Sequence, residues 1–255
     1  MAISTQEIPK KDRIKEATHP FVKTASQRRA EIVIATLFVV TGAVSILAAL
    51  LLNPILNPSN YLANVFPNKG AVELGSLLWS VNNIGIVFIA VFAYPLLRKL
   101  DEALATGYLA SRIVEGTMLM VGTIATLLLI PLSQDFIQAG APVGLSSFQT
   151  LGDVLKQAGF LGLTQMDLVM LGVGGLIFTW LLFRFRLIPR AMSVLGLIAY
   201  ALVFIVSIAG WFGLVDPSAG GPATFLALPV AAFEIVLLPF WLFYRGFKMP
   251  EASET

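Results

Sequence analysis

Long apolar runs separated by short polar connections repeat along most of this chain. The first run, residues 32–52, carries no charge, and a second charge-free run ends just before the basic pair Arg98 and Lys99. A helix needs about 20 apolar residues to cross the roughly 30 Å hydrocarbon core of a bilayer. The pattern therefore predicts an all-α, integral membrane bundle of six transmembrane helices, at about residues 32–52, 73–97, 103–131, 161–183, 190–213 and 223–245.

The predicted membrane domain covers residues 31–248, between a basic N-terminal tail, residues 1–30, and a short C-terminal tail, residues 249–255. Two longer connections, residues 53–70 and 133–160, are predicted on the outer side. The second contains apolar residues at helical spacing after Ser146 and Ser147, which predicts a short amphipathic helix on the membrane surface. Asp101 is the predicted N-cap of the third span, which should end near Pro131.

Basic residues are concentrated on alternate connections. Fourteen of the 17 lysine and arginine residues lie in the N-terminal tail, in or beside the second-to-third and fourth-to-fifth connections, or at Arg245 and Lys248 after the sixth span. The opposite connections carry only Lys69 and Lys156, and Arg112 lies within the third span. Because basic loops remain preferentially in the cytoplasm, both termini are predicted to be cytoplasmic.

The composition agrees with a membrane protein and excludes several chemistries. Hydrophobic residues make up 57% of the chain and charged residues 13%, against about 25% charged in soluble domains. The chain has no cysteine, and its one histidine, His19, lies in the polar tail. We therefore predict no haem, zinc or iron–sulfur cofactor and no metal site. Nucleic-acid binding is not expected, since no folded basic module is visible.

Arg112, Glu115 and Glu234 lie within otherwise apolar spans, where each ionised group costs about 2.5–3.5 kcal/mol. Arg112 and Glu115 are three residues apart and share one helix face. At 1.5 Å per residue, both carboxylates lie about 16 Å from the basic ends of their helices and can face one another. One arginine cannot fully compensate both, which favours protonation or a bound cation. A plain Arg112–Glu115 ion pair and a simple hydrogen bond from Glu234 remain alternatives.

The second span carries a polar stripe that we expect to face inward. Glu73, Ser76, Ser80 and Asn83 have helical spacing, and Asn82 lies beside them. The stripe is interpreted either as one wall of a pathway open to the outside or as hydrogen-bonding contact between helices.

Three other features of the membrane spans have structural interpretations. Gly172, Gly174 and Gly175 predict close helix packing in the fourth span. Asp167 is expected at the outer interface. Two prolines, at positions 229 and 239, bracket Glu234 and predict a kink that frees carbonyl groups beside the acid.

Three segments resemble the bacterial membrane family known as domain of unknown function 4386: AYPLLRKLDEALATGYLASRIVEG, RLIPRAMSVLGLIAY and PVAAFEIVLLPFWLFYRGF. The resemblance covers roughly residues 30 to 248. It implies a small multi-span protein of the bacterial inner membrane, and it supplies no activity.

Three functions are compatible with these features. The first is a binder or carrier of a small lipophilic or cationic ligand, with Arg112, Glu115 and Glu234 as the site and the second-span stripe as the approach. The second is an accessory or structural subunit of a larger membrane complex. The third is an intramembrane lipid-modifying enzyme with the paired carboxylates as acid and base, although no catalytic motif is visible.

Overall fold

The computed structural model describes residues 24–140, 147–160, 165–215 and 222–249, and within these ranges all regular structure is helical. The helices are α1 (Ala25–Leu56), α2 (Tyr61–Val65), α3 (Lys69–Leu97), α4 (Glu102–Gln138), α5 (Ser147–Phe160), α6 (Asp167–Arg184), α7 (Arg190–Trp211), α8 (Pro222–Ala232), a π-helical turn (Phe233–Leu237) and α9 (Leu238–Tyr244). The N-terminal tail, including His19, and residues 161–164 of the predicted fourth span lie outside the described residues.

Five helices among the described residues are long and apolar enough to cross a membrane: α1, α3, α4, α6 and α7. A shorter apolar helix, Leu228–Tyr244, stands where the sixth span is predicted. Large apolar side chains such as Leu50 and Ile205 point away from the bundle and are exposed. Exposed apolar surface on this scale is what a surrounding bilayer requires.

The helices form a closed ring. In chain order α1 packs against α3, α3 against α4, α4 against α6, α6 against α7 and α7 against α8. The π turn and α9 then return to α1. This arrangement surrounds an interior that every long helix can reach with a polar side chain.

The first and third spans are longer than expected. The first begins at Ala25, because Thr24 and Gln27 form a capping box there, and it ends at Leu56. The third begins after the predicted N-cap, Asp101, but continues through Pro131 to Gln138. Proline removes only one helical hydrogen bond, and tertiary packing beyond it outweighs that loss.

That packing comes from α2 and α5, which cover one end of the bundle. Leu132 and Phe136 of α4 lie in an apolar cluster with Tyr61 and other α2 residues. The amphipathic helix expected between residues 133 and 160 is α5, and its Asp153 accepts a hydrogen bond from the Tyr61 hydroxyl at 2.8 Å. Burial, together with Asp153, raises the pKa of Tyr61 above its ordinary value. We call this the α5 end.

At the opposite end, which we call the basic end, α1 is bonded to the last helix. By the last helix we mean α8, the π turn and α9 together. Glu31 of α1 is fully buried, pairs with Arg28 at 3.3 Å and accepts a hydrogen bond from the Phe247 amide at 2.9 Å. Arg28 donates to the carbonyl groups of Leu242 and Phe243 at the end of α9. A cation that bonds the last carbonyls of a helix satisfies groups that would otherwise lack partners.

Small residues allow α6 to approach its neighbours closely, as the glycines predict. A Cβ atom at Gly175 would lie 2.0 Å from the Tyr200 ring, and one at Gly174 would lie 2.4 Å from the Ser111 hydroxyl. Glycine is thus required where α6 meets α7 and α4.

Gly175→Ala is expected to lower the melting temperature of the purified protein, because overpacking at such a contact costs about 1–3 kcal/mol. The matched control is Gly107→Ala, whose Cβ would meet only the Ile177 side chain at an ordinary 3.5 Å. The measurement is thermal unfolding in detergent. Equal melting temperatures for the two variants would contradict the close approach of α6 and α7.

Candidate functional site

Arg112 joins the two carboxylates that the depth estimate places at one level. Its Nη1 lies 3.0 Å from Oε1 and 3.1 Å from Oε2 of Glu115, one turn further along α4. Its Nη2 lies 3.0 Å from Oε1 of Glu234, on the last helix. The structure therefore brings all three residues together, with the guanidinium between the two acids.

Two tyrosines complete the surroundings of this ion pair. The Tyr200 hydroxyl, from α7, donates a hydrogen bond of 2.7 Å to the Glu234 oxygen that Arg112 also contacts. The Tyr108 ring lies 5.5 Å from the Arg112 guanidinium carbon, within the range of a cation–π interaction. Tyr200 is ten residues from the basic end of its helix, about 15 Å, so the same depth estimate could have identified it.

The site is deeply buried on the α4 side and more open on the last helix. The side chains of Arg112 and Glu115 are 1% and 4% exposed, whereas that of Glu234 is 19% exposed. Removing one partner of a buried ion pair leaves an uncompensated charge, which is far costlier than the pair itself. The three charged groups therefore depend on each other.

Glu234 lies in a π-helical turn, Phe233–Leu237, with Pro229 before it and Pro239 after it. The sequence predicts a kink between these prolines, and the structure has a wider π turn there, with the Leu238 amide bonding to the Phe233 carbonyl. Such turns occur often at functional sites, because they redirect a side chain without ending the helix.

A cavity of about 240 Å³ lies beside the ion pair and within the ring of helices. Arg112, Glu115 and Glu234 form part of its lining, and Asp167 lines it as well. Asp167 is the first residue of α6 and is only 8% exposed, so it faces the interior of the bundle. The length of α6 between Asp167 and Arg184 indicates that Asp167 lies near the membrane surface. The cavity extends far enough toward the α5 end for Asp167 to line it.

The polar stripe of α3 divides between two roles. Asn82 lines the cavity, whereas the Asn83 amide donates to the Thr123 hydroxyl of α4 at 3.1 Å. The Ser80 hydroxyl bonds to the Ser76 carbonyl of its own helix. Glu73, near the start of α3, is exposed and does not face inward as expected. Asn82 is thus the member of the stripe that belongs to the candidate site.

Among the described residues, no group of three histidine, cysteine, aspartate or glutamate side chains is arranged to hold a metal ion. Arg112 occupies the position between the two glutamates that a metal would need. The acids of the cavity are therefore available to protons, hydrogen-bond donors and cations that need only one or two oxygen partners.

A ring of long apolar helices around a buried ion-pair network defines a multi-pass helical membrane protein. The family described as Domain of unknown function (DUF4386) matches residues 33–246, which is most of the chain, and the protein belongs to this family. The resemblance noted in the sequence is thereby confirmed. No curated protein and no solved structure matches the chain.

Arg112→Leu is expected to destabilise the protein by about 3–5 kcal/mol, because it leaves Glu115 and Glu234 without their shared cation. Arg98→Leu, at an exposed position, is the control and should change stability by less than about 0.5 kcal/mol. Both are measured by thermal or chemical unfolding in detergent.

Adding Glu115→Gln and Glu234→Gln to the Arg112→Leu variant should recover much of the lost stability, since the unpaired charges are then removed. A triple variant as unstable as the single one would show that Arg112 acts through packing rather than charge.

Proposed function

We propose that the protein binds, and as a carrier transfers, a small cation or cationic ligand at the intramembrane site formed by Arg112, Glu115 and Glu234. One observation carries this proposal: three buried or half-buried carboxylates, those of Glu115, Asp167 and Glu234, line one cavity together with a single arginine. The acidic side chains outnumber the basic ones within a low-dielectric interior.

The excess of acid has a physical consequence. A carboxylate in an apolar interior without a compensating partner is strongly disfavoured, so it takes up a proton or attracts a positive ligand. Both Nη atoms of Arg112 contact the other two carboxylates, Glu115 and Glu234, which leaves Asp167 for such a ligand. A bound cation would remove the imbalance without disturbing the ion pair.

The last helix supports a carrier more than a rigid binding protein. Glu234 combines contact with Arg112, a hydrogen bond from Tyr200 and a place in a π turn between two prolines. Interrupted helices near the bilayer midplane are a common way for transporters to build a binding site. A change in the turn would move Glu234 relative to Arg112 and couple occupancy to helix movement.

The proposed topology has six spans, with both termini in the cytoplasm of a bacterial cell and the bundle in its inner membrane. Helical structure runs from Pro222 to Tyr244, about 34 Å at 1.5 Å per residue, which suits a sixth crossing. The connections at the basic end contain Arg98, Lys99, Arg184, Arg186 and Arg190. This charge bias supports a cytoplasmic basic end.

Cysteine labelling tests this topology cleanly because the natural chain has no cysteine. In spheroplasts, a membrane-impermeant maleimide should label Lys69→Cys, at the α5 end, and should label Lys99→Cys only after lysis. Both positions are exposed. The reverse pattern would invert the orientation, and labelling of both before lysis would contradict an intact crossing between them.

The binding proposal is tested by a thermal-shift and uptake screen with alkali cations, alkaline-earth cations and organic amines, in detergent and in proteoliposomes. At least one cation should stabilise or enter with the wild type, and Glu234→Gln should weaken the effect about tenfold or more. Glu102→Gln, an exposed acid at the basic end, should behave as wild type. If no cation acts on the wild type, or if Glu234→Gln matches it throughout, the proposal fails.

A further inference from the structure

Asp167 differs from the other two acids of the cavity in having no ion-pair partner within the part of the chain that the structure describes. Its Oδ1 atom is buried and has no hydrogen-bond partner among the described residues. Glu115 and Glu234, in contrast, are both held by Arg112. A buried acceptor without a donor costs about 1–3 kcal/mol, and a charged one more, so this position favours a ligand that donates hydrogen bonds.

The size of the cavity argues for a molecular ligand rather than a bare ion. Its volume of about 240 Å³ is many times the roughly 30 Å³ share of one water molecule in the liquid. A metal ion would also need several ligands close together, and the described residues contain no group of three histidine, cysteine, aspartate or glutamate side chains that could hold one. An organic cation fills this space and needs only one carboxylate.

The lining of the cavity combines polar and apolar side chains. Asn82 and Trp79 supply an amide and an indole, whereas Phe38, Leu168 and Leu171 are purely apolar. An ammonium group can donate to the carboxylate and the amide, and the face of an indole attracts cations. The apolar side chains would then cover the hydrocarbon part of the same molecule.

The cavity reaches the surface of the bundle sideways, between α1 and the last helix. Gly42 and Ser45 of α1, together with Ala231 and Ile235 opposite, line the cavity and are partly or fully exposed. The opening is narrow at Gly42, since a Cβ atom there would lie 2.6 Å from the Ile235 side chain. In a spanning bundle this opening faces lipid, so it suits a ligand that partitions into the bilayer.

We propose that the cavity binds an amphiphilic organic ammonium ion, with its nitrogen against the Asp167 carboxylate and its apolar part among Phe38, Leu168 and Leu171. This inference rests on the proposed cation site and names its ligand class. It also separates two roles. Arg112, Glu115 and Glu234 form a charged part of the cavity wall, and Asp167 binds the ligand directly.

The test compares hexylammonium with hexanol, which has the same chain and no charge, and with sodium and potassium. Binding to the protein in lipid nanodiscs is measured by titration calorimetry, with empty nanodiscs subtracted. Hexylammonium should bind saturably to the wild type and hexanol should not. Asp167→Asn should weaken hexylammonium binding at least tenfold, while Asp135→Asn, an exposed acid near the α5 end, should leave it unchanged.

Trp79→Leu is the second variant, because it leaves every charge of the cavity in place. It should weaken hexylammonium binding severalfold and keep the preference over hexanol. Unchanged binding in Asp167→Asn, or equal binding of hexanol by the wild type, would overturn the inference.

The inference and the underlying proposal can fail separately. If sodium or potassium binds in a Glu234-dependent manner and hexylammonium does not, the cation site stands and the ammonium ligand is wrong. If none of these cations binds, and the broader screen is also negative, both are wrong.

Discussion

The double contact of Arg112 with Glu115 and Glu234 is the interaction on which the arrangement of the bundle depends. It joins α4 to the last helix across the interior, although these helices are far apart in the chain. Tyr200 adds α7 to the same network through its bond to Glu234. Since each group would be strongly disfavoured alone in an apolar interior, an arrangement that separates these helices is costly.

The helices that carry this network pack closely against their neighbours. Gly175 lets the Tyr200 ring lie against α6, and Gly174 does the same for Ser111, one residue before Arg112 on α4. The basic end fastens the last helix to α1 through Arg28 and Glu31. The last helix is therefore fixed at its basic end and widened at Glu234, so the cavity lies beside the part of the helix that departs from regular geometry.

Much of the fold and part of the site follow from the sequence. Apolar runs locate the helices, the cap at Asp101 locates the start of α4, and counting residues from the basic end places Glu115 and Glu234 at one depth. That Asp167 lines the cavity could not be predicted in this way, because a position along α6 indicates depth and not which neighbours the side chain faces. Glu73 shares a helix face with polar neighbours and is nevertheless exposed, because spacing within one helix does not show which residues a neighbouring helix covers.

The sequence by itself determined that the chain is helical and membrane-spanning. The reason is that a run of about 20 apolar residues is a local feature, and it suffices for a helix to cross a bilayer. The sequence also selected the charged residues that are costly in that solvent. Only the tertiary structure decided which of them meet. The ring order, the π turn under Glu234 and the place of Asp167 in the cavity depend on contacts between helices distant in the chain. Such contacts are set by packing and pairing energies that no local pattern contains.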